Sequence, residues 1–225
     1  MSKLKLFFLV LCAAALSASA ASAQACLGLP SFNNGSVHLN MASEFPDSAR
    51  GYAAGIGAGR HNNLFANLGG GIITLDGFDG RVELGFLEFG YQIPISRAQL
   101  CPIAGGYLSR GPNDDLIGIE ITSYSAAGGL ALGLPIQLSA LTLIPNVAGR
   151  FEYLSQKTVE AELGTFTDTY STALVDIGFA LVFYDRVSIQ PLIHIPVYAQ
   201  DELDPKKTTF GIFAAFSLPW KAQQQ

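Results

Sequence analysis

Three histidines, His38, His61 and His194, are the first residues to weigh for chemistry. Hydrolysis would need a serine or an aspartate pair set beside one of them, and metal chemistry would need two at ligand spacing. Neither pattern occurs, since no nucleophile elbow is present and the histidines are far apart in the chain. No catalytic, cofactor-binding or metal-binding residue is assigned, and the chain is expected not to be an enzyme. Asp114-Asp115 is an acidic pair of the kind that suggests Ca²⁺, but it reads as a solvated loop. Gly69-Gly70-Gly71 and its like are not phosphate loops, because no strand-to-helix context follows them. What remains is a set of polar residues, Arg150, Glu152, Asp176 and His194, embedded in otherwise apolar stretches.

The elements that position them begin with a secretory signal. Lys3 and Lys5 precede an apolar run from Leu6 to Leu16, and Ala21-Ser22-Ala23 forms a small-residue cleavage site. The run is too short for a transmembrane helix, and nothing later approaches roughly 20 charge-free apolar residues. Loss of Lys3 and Lys5 takes the formal charge from −5 to −7, which argues against nucleic acid as a partner. Cys26 and Cys101 survive cleavage. In an oxidising compartment an even count predicts one Cys26–Cys101 disulfide, with a lipidated Cys26 or two free thiols as alternatives.

Ten segments of alternating hydrophobicity follow: about 36–43, 51–60, 63–75, 81–93, 100–109, 124–134, 141–153, 170–183, 187–198 and 208–220. In the last, Phe210, Ile212, Ala214, Phe216 and Leu218 share one parity, and Thr209, Gly211 and Ser217 the other. The segment 81–93 breaks the rule: Phe86 and Leu87 are both large, so either a bulge lies near Leu87 or Phe86 points inward. One face of nearly every segment is Leu, Ile, Val, Phe or Ala. Charged residues are only 14% of the chain, and many of its 24 glycines fall inside strands. A crowded barrel interior gives those glycines a use that an open sheet does not.

Thr209, Gly211, Ala214 and Phe216 form a pattern that resembles the terminal-strand signal of bacterial outer-membrane β-barrels. On it the chain resembles the OmpA/OmpX-like barrel superfamily. The resemblance implies an all-β, closed antiparallel up-and-down barrel of about ten strands, with eight as the alternative. It divides the chain into a signal peptide (1–23), a periplasmic N-terminal segment (24–35), the barrel (36–220) and a tail (221–225). It also implies outer-membrane lipid and the barrel-assembly machinery as partners, no cofactor, and both termini on the periplasmic side. The connections agree: those after odd-numbered segments, including 154–169, are longer or more acidic than the others. Tyrosines gather at segment ends, as girdles require, although Tyr170 and Tyr198 have lumen parity.

Parity also predicts a lumen cluster. Pairing Phe183 with Val187 puts Asp176 opposite His194, with Arg150 and Glu152 in diagonal reach. Large inward residues, Phe65, Leu174, Leu192 and Phe213, predict a packed lumen. The expected role is a structural or surface-interaction barrel with acidic external loops. A narrow passive channel is the alternative, and a soluble secreted all-β binding protein is a second.

Overall fold

The computed structural model describes residues 26, 29, 37–46, 49–59, 64–76, 81–111, 119–160, 164–199 and 207–218. The signal segment 1–23, Trp220 and the tail lie outside the described residues, as does Asp114-Asp115. Twelve strands are present among the described residues: β1 Val37–Phe45, β2 Ala49–Gly59, β3 Leu64–Leu75, β4 Arg81–Tyr91, β5 Ile93–Ile95, β6 Ala98–Arg110, β7 Ile119–Gly133, β8 Ile136–Leu138, β9 Leu141–Glu160, β10 Gly164–Phe183, β11 Val187–Ala199 and β12 Thr209–Leu218. Strands β5 and β8 only extend the turns that lead into β6 and β9. The other ten are staves, each antiparallel to its chain neighbour. β12 closes on β1, from Val37 opposite Leu218 to Phe45 opposite Phe210. The sheet is a closed ten-stranded up-and-down barrel. Closure pairs the backbone along what would otherwise be two open edges.

Alternation dictates what faces where. Leu39, Ile56, Leu68, Leu87, Phe89, Leu130, Ile177, Ile189 and Phe216 stand outward and exposed, whereas Phe65, Asn67, Cys101, Gln190, Leu192 and His194 are buried inside. Strand β4 pairs with β3 and β6 without a register shift. Phe86 therefore points inward and no bulge is needed. Gly69 on β3 and Gly55 on β2 leave room for its ring: a Cβ would sit 2.6 Å from the ring at the first and 3.0 Å at the second.

Two expectations are corrected. Residues 154–160 and 164–169 are strand rather than loop. β9 and β10 run on as a hairpin as far as Glu160 opposite Gly164, leaving only 161–163 between them, and β7 extends alongside β9. Val159 and the threonines at 158, 165, 167 and 169 are good strand formers, which explains the extension. Second, Tyr198 does not keep lumen parity. The register shifts between Ala173 and Leu174, where Pro196 pairs Leu174 but Tyr198 pairs Ala173. Val197 is the extra residue, and this bulge turns Tyr198 to the outer wall. There it joins Tyr52, Tyr124 and Tyr153, all exposed near the same rim as the stacked pair Phe45 and Phe210. Tyr107 faces inward, opposite Phe86.

The turn between β10 and β11 holds Tyr184 and Asp185 at positive φ, and the Arg186 N–H donates to the Phe183 carbonyl at 3.0 Å. That turn fixes Phe183 opposite Val187, and with it Asp176 opposite His194.

Candidate functional site: a layered lumen

The lumen is layered from the turn end toward the loop end. At the turn end Cys26 is bonded to Cys101, with Cα atoms 6.0 Å apart. Both sulfurs belong to an apolar cluster with Phe65, Ile103 and Ala131. Leu29 is buried too, so the N-terminal segment enters the mouth of the barrel at these two points rather than lying outside it. Phe65 fits because Gly90 faces it on β4; a Cβ there would overlap the ring. A second cluster, Ile144, Ala180 and Val182, packs the same end on β9 and β10.

Above the apolar layer lies a layer of amides. Asn40 Nδ2 on β1 donates to Asn67 Oδ1 on β3 at 3.2 Å, and Asn67 Nδ2 donates to Glu88 Oε1 on β4 at 3.5 Å. On the other wall Gln190 Nε2 on β11 donates to Asn146 Oδ1 on β9 at 3.1 Å. Asn40 and Asn67 skip a strand to meet, as do Gln190 and Asn146, and each intervening strand carries a glycine. A Cβ at Gly57 would collide with the Asn67 amide, and one at Gly178 would stand 3.3 Å from Asn146 Oδ1. Glycine is thus a saddle over which flanking side chains reach.

The next layer is ionic. Asp176 Oδ1 lies 2.6 Å from His194 Nδ1, and Asp176 Oδ2 lies 2.8 Å from Arg150 Nη2. One carboxylate therefore serves two basic side chains on the strands to either side of it. His194 Nε2 is 3.5 Å from Glu44 Oε1, close enough for an ion pair but longer than a well-formed hydrogen bond. Gly211 on β12 lies between those two residues and keeps the space open. The exposures grade across this layer: the Glu44 side chain is 48% exposed, Asp176 17% and His194 11%.

Of the residues singled out by parity, the structure brings Arg150, Asp176 and His194 together. Glu152 is on the same inner face, opposite Thr172 and Ala127, but it makes none of these contacts. Glu44 occupies the role expected of Glu152. Alternation places the first strand at 36–43 and leaves Glu44 to the connection, whereas β1 continues to Phe45. Parity was the available signal, since Glu44 shares it with Asn40 and Ala42. Of the terminal-strand residues, Phe216 faces outward opposite Leu39, while Thr209 and Gly211 face in and border His194 and Glu44. A cavity of about 160 Å³ runs between the layers, lined among others by Leu29, Asn40, Glu88, Arg150, Gln190 and His194. Among the described residues no three His, Cys, Asp or Glu side chains are grouped to hold a metal ion.

No protein-family model matches the chain. No curated protein matches it. Among solved structures it is similar to the β domain of the Bordetella autotransporter BrkA, at 12% identity over 82% of this chain and 100% of that one, with a TM-score of 0.47. It is similar also to the translocator domain of the autotransporter NalP from Neisseria meningitidis, at 11% identity over 83% and 87%, TM-score 0.45. Ail, the attachment invasion locus protein of Yersinia pestis, aligns at 10% identity over 82% and 97%, TM-score 0.41.

Proposed function

We propose that this chain is an integral outer-membrane barrel with a structural or surface-interaction role, whose lumen is sealed at the periplasmic end. The plugged mouth carries the reading: a covalent bond holds Cys26 inside the barrel, against an apolar cluster of Phe65, Ile103 and Ala131. The outer wall supports the membrane setting. Its large apolar side chains would be costly in water, and a closed sheet leaves no backbone edge in lipid. The extended β9–β10 hairpin supports the surface role, because residues 164–169 stand exposed beyond the last pairing of β10 with β11. Acidic external loops, insertion by the barrel-assembly machinery and periplasmic termini belong to the same proposal. The narrow channel is the second reading, and the cavity favours it.

Planar-bilayer recording on the refolded protein separates the two. The oxidised protein should show no unitary current steps. The Cys26→Ser/Cys101→Ser double variant should show brief ones, because the segment is then held only by packing. Steady steps from the oxidised wild type would favour the channel. Loss of the bond should also lower stability by up to roughly 4 kcal/mol, the chain-entropy figure for a loop of this length.

A further inference from the structure

Among the described residues the lumen holds more carboxyl groups than basic side chains. Glu44, Glu88 and Asp176 face Arg150 and His194. Asp176 commits one oxygen to each basic side chain, and Glu44 lies beside His194. Glu88 is left with a single long bond from the Asn67 amide, and it forms no ion pair among the described residues. Asn40 stands on the same side of the cavity. It uses its NH₂ on Asn67, so its Oδ1 is buried with no hydrogen-bond partner. A buried acceptor of that kind needs a donor from somewhere. Glu88 and Asn40 together present oxygen acceptors at the cavity wall, and the Glu88 carboxyl has no ion-pair partner among the described residues.

The complement of such a wall is a cation with several N–H donors. The volume restricts it further: a cavity of about 150 Å³ admits benzene, so about six heavy atoms fit. Phe86 and Phe213 also line the cavity, offering apolar surface for a short stem and π-systems that attract cations. A divalent metal lacks the ligands, since among the described residues no three suitable side chains converge. The approach is graded in the same sense, from half-exposed Glu44 inward past Asp176.

We propose that the cavity binds a small primary ammonium ion, whose –NH₃⁺ donates to the Glu88 carboxylate and Asn40 Oδ1 while its alkyl stem lies against Phe86 and Phe213. The proposal depends on the sealed lumen only for the route, which then runs from the loop end past Glu44.

The test is an NMR and calorimetric titration of the full folded protein in detergent micelles with ethylammonium, tetramethylammonium and ethanol at fixed ionic strength. Ethylammonium should bind saturably and shift the Asn40 and Asn67 side-chain amide signals. Tetramethylammonium, which has the charge but no N–H, should bind at least tenfold more weakly, and ethanol should not saturate. Glu88→Gln should weaken ethylammonium at least tenfold. Absence of saturable binding, equal binding of tetramethylammonium, or unchanged affinity in Glu88→Gln would each overturn the proposal. If Glu88→Gln fails to fold, the three probes on the wild type still decide. A conducting wild-type barrel would remove the sealed-lumen reading and leave this site standing; failed binding with no conductance would do the reverse.

Discussion

The two faces of each stave answer to different rules. On β12, Phe210, Ile212, Phe216 and Leu218 face outward, and in the proposed membrane setting any large apolar side chain would serve there, because lipid makes no demand beyond transfer energy. On its inner face, Gly211 is hemmed by Glu44 and His194, and Ala215 and Ser217 are buried. Each inner position has named neighbours, some of them two strands away. The outer wall is therefore specified by composition, and the inner wall by partnership. A substitution outside should matter through polarity alone, whereas one inside should matter according to the partner it strands.

The largest effect belongs to the outer face. Phe216→Asp places a carboxylate on the lipid side of the strand that closes the barrel, opposite Leu39 on β1 and Val187 on β11. Loss of closure is not partial, because an unpaired β12 would leave two open edges in hydrocarbon. The expected outcome is no heat-modifiable folded species in outer-membrane fractions, whereas Phe216→Leu should fold normally. Normal yield of Phe216→Asp would break the comparison, since the outer wall would then be indifferent to charge.

The inner face should give a graded answer. Asp176→Ala strands Arg150 and His194 together, and removing one partner of a buried pair costs about 3 kcal/mol. Arg150 is 29% exposed, so water recovers part of its solvation and the low end of the range applies. Urea unfolding in lipid vesicles should show the loss, and Asp176→Asn should lose less by keeping hydrogen bonds to both neighbours. Equal midpoints for wild type and Asp176→Ala would mean that the ion pairs hold nothing together.

The same contrast explains what the sequence disclosed. Ten staves and most of the outward set were legible because transfer energy leaves a period of two that needs no knowledge of neighbours, whereas closure was only what the terminal-strand resemblance implied. Asp176 opposite His194 was legible because a short turn fixes one register. The Asn40–Asn67 bond, the Gln190–Asn146 bond and the Glu44–His194 approach were not. All three cross a strand, so their signature is a glycine on a different segment from either partner. The bulge at Val197 was equally hidden. Pro191 and Pro196 mark β11 as irregular, but alternation alone does not say which residue is surplus. The extended β9–β10 hairpin was missed for the opposite reason: its threonines and charges look like a loop when only lipid-facing strands are sought.

The smallest effect is the sharpest discriminator of partnership from mere inward position. Glu152 and Arg150 share one face of β9, and Glu152 is partly buried as Arg150 is. If inward charge were enough, Glu152→Gln should cost as much as a change at Asp176. If partnership decides, it should cost almost nothing, because the amide keeps the shape and no ion pair is lost; a change within about 0.5 kcal/mol is expected, as for an uninvolved surface site. Glu44→Gln serves as the internal reference. It removes a charge 3.5 Å from His194, but Glu44 is half exposed, so about 0.5–1 kcal/mol is the expected loss. The order Asp176→Ala, Glu44→Gln, Glu152→Gln in urea midpoint is therefore the outcome that partnership requires. A midpoint for Glu152→Gln below that of Glu44→Gln would place Glu152 in the network and show that inward parity, not contact, sets the energy of this wall.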